Sequence, residues 1–190
     1  MFNPFRKKTV YTFPDPSNFA KIHYGCGSNL LGEDWLNVDL AKGHDGVSNY
    51  LYVNLIEIHP FQDETFQYAF GEDFLEHLSQ SESILFLTEA FRSLKRGGVL
   101  RLSFPGLEGV LKKHYTPTSY EVAKLAISEA YTMWGHHHFY SKGELELVAC
   151  HLGFSEVHFC KYGESIHEAL SGIDSRSHQP TLNTYAELIK

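Results

Sequence analysis

Residues 20 to 39 restrict the chain most. Ala20-Lys21-Ile22-His23-Tyr24 has strand composition, Gly25-Cys26-Gly27 breaks it, and Trp35-Leu36-Asn37-Val38-Asp39 resumes strand composition only seven residues later. Glycines directly after a strand let the backbone approach a ligand and leave amide hydrogens free to contact it. Asp39, ending the next strand, presents a carboxylate that can accept two hydrogen bonds from a ribose diol in the crevice of an open sheet. Each feature also has a plainer reading, as a tight turn that binds nothing and as a solvated turn aspartate.

The rest of the chain continues the alternation. Tyr50 to Val53 and Phe66 to Phe70, the latter closed by Gly71, have strand composition. Ser79-Gln80-Ser81-Glu82 has capping-box spacing, Ile84, Leu87, Thr88, Phe91 and Leu94 follow at helical spacing, and Gly97-Gly98 offer the left-handed residue that ends a helix. Val99 to Phe104 reads as a strand stopped by Pro105-Gly106. Two further capping boxes, Thr118-Ser119-Tyr120-Glu121 and Ser141-Lys142-Gly143-Glu144, predict helices, the second stopping at Gly153. Ser155 to Tyr162 and Leu182 to Ile189 alternate as strands around an irregular stretch from Gly163 to Pro180. The pattern predicts an α/β fold: a doubly wound, mostly parallel sheet with helices on both faces, a final strand inserted antiparallel, and ligands at the carboxyl ends of the strands.

With 190 residues and no linker-like or repetitive segment, the expectation is a single domain over 20–190 behind an N-terminal extension, 1–19. The formal charge of -7 opposes nucleic acid as a partner, and the basic run Phe5-Arg6-Lys7-Lys8 reads as a solvated tail. Cys26, Cys150 and Cys160 are odd in number and contain no CxxC pair, which fits a reducing compartment, the cytoplasm by default, and opposes structural zinc. No stretch has the length of a membrane span, and the first residues lack a signal peptide's apolar core.

Four blocks in order, Tyr24-Gly25-Cys26-Gly27, Asn37-Val38-Asp39-Leu40, Phe74-Leu75-Glu76-His77-Leu78 and Leu94 to Ser103, resemble the class I S-adenosylmethionine-dependent methyltransferases, especially the group like ubiquinone-biosynthesis methyltransferases. The resemblance covers residues 20 to 105, and Gly153-Phe154 is similar to that family's closing αβ turn. It implies a Rossmann-like seven-stranded sheet with one antiparallel strand, S-adenosyl-L-methionine as cofactor, and transfer of a methyl group to an oxygen or nitrogen of a small-molecule or saccharide acceptor. By the same resemblance Gly25, Cys26 and Gly27 face the methionine part, Asp39 the ribose, Asn54 and Leu55 the adenine, and Gly71, Glu72 and Asp73 the floor near the sulfonium. A negative floor suits a cation that cannot lose its charge by deprotonation. Glu72 and Asp73 also read as exposed loop charges.

The chain departs from the family at His23, where an acid is usual, at Asn29, where a glycine is usual, and in joining its first strands by Ser28 to Asp34 without a full helix. A short first connection is similar to a subgroup of small bacterial methyltransferases associated with surface-carbohydrate and natural-product pathways. A methyltransferase-like domain that binds the cofactor without catalysis is the main alternative. An NAD-dependent oxidoreductase fits less well, since Leu30 stands where a third glycine is needed and Asp39 comes too soon. Neither a Gly-x-Ser-x-Gly elbow nor a Walker loop occurs.

Among twelve histidines, His136-His137-His138 draws a metal reading, but adjacent side chains diverge and further ligands would have to come from elsewhere, so no metal is expected. His136 or His138 is the candidate base or orienter for the acceptor, and His77 is expected to fix its loop by a backbone hydrogen bond. Residues 106–140, with Tyr115, Tyr120, Tyr131 and Trp134, are expected to cover the acceptor side of the pocket, although these aromatics also fit the apolar face of covering helices.

Overall fold

A computed structural model describes residues 14–41, 44, 46–114 and 119–190. The basic run at 5–8, Tyr115 and Thr118 lie outside the described residues. Seven strands form one sheet: β1 Lys21–Tyr24, β2 Trp35–Asp39, β3 Tyr50–Tyr52, β4 Phe66–Glu72, β5 Leu94–Pro105, β6 Glu156–Cys160 and β7 Asn183–Ile189. Their order is β3-β2-β1-β4-β5-β7-β6. The pairs from β3 to β5 are parallel, and β7 runs antiparallel to both β5 and β6. The predicted class and the antiparallel insertion of the last strand therefore hold. The order reverses between β1 and β4, which opens a crevice at the carboxyl ends of those strands.

Residue parity along the strands separates two unlike faces. One carries Ile22, Tyr24, Leu36, Val38, Leu100, Leu102, Ala186 and Leu188 against α1 (Gln80–Ser93) and α4 (Lys142–Leu152), which contribute Phe86, Leu87, Ala90, Leu145 and Ala149. Both helices start at the serines the capping boxes marked, Ser79 and Ser141, and α4 ends at Gly153 with φ +110. The other face buries Trp35, Phe70 and Val99 under Leu31 and Leu170, and it also buries His23, Asn37, Arg101 and Glu187. Polar residues there have a physical reason. The cover on that side is irregular chain, whose carbonyls and amides must find partners in the sheet's side chains.

Several boundaries differ from the sequence expectation. α1 ends at Ser93, with Leu94 already extended, so Gly97-Gly98 do not stop the helix. Leu94 is fully buried and pairs with Phe66 as the first residue of β5. The last carbonyls of α1 are met by Lys190, whose ammonium donates to Leu94 O at 2.7 Å and Arg92 O at 3.3 Å. Gly71 lies inside β4 instead of closing it. A helix not expected from sequence, α2 (Leu107–His114), begins directly after Pro105-Gly106. The next helix, α3 (Tyr120–Ile127), is capped by Ser119, one residue later than the Thr118 box implies, and continues into a π-helical stretch, Ser128–Met133. Among the described residues no helix is long and apolar enough to cross a membrane.

Candidate functional site

The glycine turn follows β1 with Gly25 at φ +62 and Gly27 at φ +51. Gly25 also meets a steric requirement, because a Cβ there would lie 2.5 Å from Phe74 Cδ2. At Gly27 a Cβ would meet nothing within 4 Å, so the turn is open on that side. The Gly27 amide donates to Asp39 Oδ2 at 2.8 Å, and Ala41 N donates to Oδ1 at 2.7 Å. Each carboxylate oxygen thus takes one amide and keeps capacity for a second bond. His44 Nε2 donates to Gly27 O at 2.8 Å, and Tyr50 OH donates to Asp39 O and Ala41 O. Cys26 is buried, its amide donating to Val38 O at 3.2 Å, and burial with Asp39 nearby pushes its thiol up to about 12. It is a packing residue and not a nucleophile.

The missing first helix is replaced by two buried asparagines. Asn37 Oδ1 accepts from Leu31 N at 2.8 Å and its amide donates to Leu31 O at 3.1 Å, while Asn49 Nδ2 donates to Gly32 O and Trp35 O, both at 3.0 Å. The link from 28 to 34 is thereby fastened to β2 and its neighbour. His23, where an acid was usual, lies 3.3 Å from Asn37 Oδ1 through Nδ1 and packs on Phe70. Burial lowers its pKa to about 4, so it is neutral and donates to the asparagine.

The remaining expected cofactor residues are less exposed to a ligand than the resemblance implied. Asn54 Nδ2 is bonded to Glu57 Oε1 at 2.7 Å, and the Leu55 side chain lies in the core. Glu72 is buried, not an exposed loop charge, and accepts from Ser175 N at 2.8 Å and from the Ser175 hydroxyl. Asp73, at φ +48, takes Arg176 Nε at 2.6 Å and Asn183 Nδ2 at 3.2 Å. Both acids therefore hold the loop before β7, and Arg176 offsets the charge of Asp73.

Beside them, at the carboxyl ends of β4 and β5, opens a cavity of about 380 Å3 walled by Asp73, Glu76, His114, Trp134, His136 and Gln179. Trp134 is 61% exposed and forms part of its rim, whereas Tyr131 stacks edge-on against Phe139 at 4.9 Å. Of the two histidine candidates the structure brings only His136 to this cavity. His138 Nε2 is held by Glu144 Oε1 at 2.9 Å. His77 faces Gly135 O through Nδ1 at 3.4 Å, the backbone bond expected of it. Glu76 was missed by sequence reasoning: it is 1% exposed, and burial, reinforced by the nearby charges of Asp73 and Glu72, pushes its carboxyl up to about 8. Only its place in Leu75-Glu76-His77-Leu78, between two buried leucines, could have signalled this.

No protein-family model matches the sequence, and no curated protein matches it. Solved structures do. An S-adenosylmethionine-dependent methyltransferase from Mesorhizobium loti matches with TM-score 0.60 and 13% identity, over 94% of this chain and 94% of that one. A methyltransferase of the same description from Archaeoglobus fulgidus matches with TM-score 0.59 and 16% identity, over 90% and 85%. Haemonchus contortus phosphoethanolamine N-methyltransferase 2, solved with phosphomonomethylethanolamine and S-adenosylhomocysteine, matches with TM-score 0.59 and 14% identity, over 93% of this chain and 50% of that one. At these identities the likeness is one of fold: the chain has the seven-stranded Rossmann-like architecture of these methyltransferases.

Proposed function

We propose that the chain is an S-adenosylmethionine-dependent methyltransferase of the ubiquinone-biosynthesis-like group, acting in the cytoplasm on an oxygen or nitrogen of a small-molecule or saccharide acceptor. The observation that carries the reading is the hydrogen-bonded pairing of the open Gly27 turn with the half-buried Asp39 carboxylate, at the switch point of the sheet. The residues fit the cofactor. Asp39 retains acceptor capacity for ribose hydroxyls, and the turn from Gly25 to Gly27 offers backbone without side chains to the methionine part. Asn54 and the backbone of Leu55 border the adenine, and Gly71, Glu72 and Asp73 form the floor.

Bound S-adenosylmethionine supplies a methyl group already activated on a sulfonium, so the protein's contribution is mainly to orient the acceptor and exclude water. His136 is the residue for the acceptor side: burial lowers its pKa, and its Nδ1 has no partner, so it is neutral and can accept a proton or hydrogen bond there. Residues 106–140 are the cover that selects the acceptor, with 20–190 as one catalytic domain. A non-catalytic cofactor-binding role is favoured by one observation, the neutralisation of Asp73 by Arg176.

Calorimetric titration with S-adenosylmethionine, S-adenosylhomocysteine and NAD tests the reading. Binding of S-adenosylhomocysteine that Asp39→Ala abolishes is expected, and binding of NAD alone overturns it. Product formation with a panel of hydroxyl and amine acceptors separates an enzyme from a binding protein.

A further inference from the structure

His136 cannot hold an ion with its neighbours in sequence, but the fold supplies partners from another segment. Glu76 and His77 lie in the 3-10 turn Leu75–His77 after β4. The amides of His137 and His138 donate to Glu76 O at 2.8 and 3.3 Å, which draws the histidine run against that turn. One donor atom each from Glu76, His77 and His136 lies within 4.8 Å of the other two. Ligand bonds of about 2.1 Å need donor atoms no more than roughly 4.2 Å apart, so small side-chain rotations close the set.

The unused atoms point the same way. Glu76 Oε2 and His136 Nδ1 are buried without any hydrogen-bond partner. His77 uses Nδ1 toward Gly135 O, which leaves its Nε2 facing Glu76 Oε1 at 3.9 Å. An imidazole fixed by a backbone carbonyl on one nitrogen and free on the other, as in His77, is oriented as a metal ligand is. One cation can take both of these unpartnered atoms in the cavity wall as ligands.

We propose that Glu76, His77 and His136 form a binding site for a divalent transition-metal ion of the zinc class, with its open coordination position facing the cavity. Two imidazoles and one carboxylate are a donor set for such ions, and three protein ligands leave a position for an oxygen of a bound molecule. The ion then holds the acceptor oxygen in place of a lone histidine base. That role rests on the methyltransferase reading, whereas binding of the ion does not.

The test uses the full chain, stripped with a chelator and titrated calorimetrically with zinc, its fold followed by circular dichroism. One equivalent is expected to bind, weakened roughly tenfold or more in both His136→Ala and Glu76→Gln. His158→Ala, on the distant β6, leaves binding unchanged. Stoichiometric zinc also protects His136 of the native chain from carbethoxylation, read by peptide mass, so the site is tested even where a variant fails to fold. Absence of a one-equivalent site, native affinity in the two ligand variants, or an unprotected His136 overturns the proposal. Titration of zinc-free His136→Ala with S-adenosylhomocysteine reads the cofactor site separately, so the two readings fail independently.

Discussion

The backbone amide of Gly27 donates to Asp39 Oδ2 at 2.8 Å, so the glycine turn after β1 and the acid at the end of β2 form one hydrogen-bonded unit. Asp39 also accepts from Ala41 N, and removing both acceptors in Asp39→Ala is expected to cost about 2 kcal/mol, the order of a lost hydrogen bond to a charged group. Asp39→Asn keeps one acceptor but turns an amide N–H toward a backbone N–H, and is expected to fall between. Urea unfolding of both variants measures this; Asp39→Ala as stable as the native chain would contradict the unit.

Asn37 fastens the link that follows this turn. Its side chain meets both backbone groups of Leu31 and the ring of His23. Asn37→Leu is nearly equal in size but leaves the Leu31 amide and the His23 imidazole without partners and the Leu31 carbonyl with only Asn49 Nδ2 at 3.4 Å, and is expected to cost about 3 kcal/mol. The urea midpoint should fall while the far-ultraviolet spectrum of the native state persists. An unchanged midpoint would mean that the link from 28 to 34 is held by Asn49 alone.

What the sequence made legible were features with a short-range cause. β1 and β2, the serine caps of α1 and α4, and the Gly153 stop depend on residues within a few positions, and each was found. The start of β5 was misread because Leu94 leaves the helix to pair with Phe66, twenty-eight residues away, which overrides the local glycine signal. α2 was hidden behind Pro105-Gly106, whose stop signal for the strand gives no sign that a helix follows at once. At the candidate site Asp39 and the glycine turn were visible, whereas the engagement of Glu72 and Asp73 by Ser175 and Arg176 joins residues 103 positions apart and leaves no local trace. The same holds for Glu76 beside His136.

Arg101 is the clearest case of a long-range polar fastening. It is fully buried on β5, bonded to Asp174 at 2.6 and 3.0 Å and to Glu187 at 2.8 Å, and it donates to the carbonyls of Lys161 and Glu164. Arg101→Met leaves two buried carboxylates without their cation and is expected to destabilise by roughly 3–5 kcal/mol. Replacing Arg101, Asp174 and Glu187 together with apolar residues is expected to recover much of that loss, because the desolvation cost goes with the charges. Thermal unfolding of the single and triple variants separates the two; a triple variant weaker than the single one would mean that the acids' other bonds, such as that from Gly163 N to Asp174 Oδ2 at 2.7 Å, outweigh their desolvation cost.

His23 makes stability depend on pH. Its native pKa is lowered by burial to about 4, against 6.5 for an unfolded histidine, so between these values the unfolded chain binds more protons than the native one. The contribution is complete above pH 6.5 and is lost as pH falls toward 4, amounting to about 2 kcal/mol by pH 5. His59, His114 and His136 are also lowered by burial and shift stability in the same direction, so the informative quantity is a difference. His23→Gln has no proton to take up there. Its unfolding free energy, measured by urea at pH 7.5 and pH 5, should fall less on acidification than that of the native chain, by about 2 kcal/mol. Equal acid losses in the two proteins would show that His23 is not the buried neutral imidazole described.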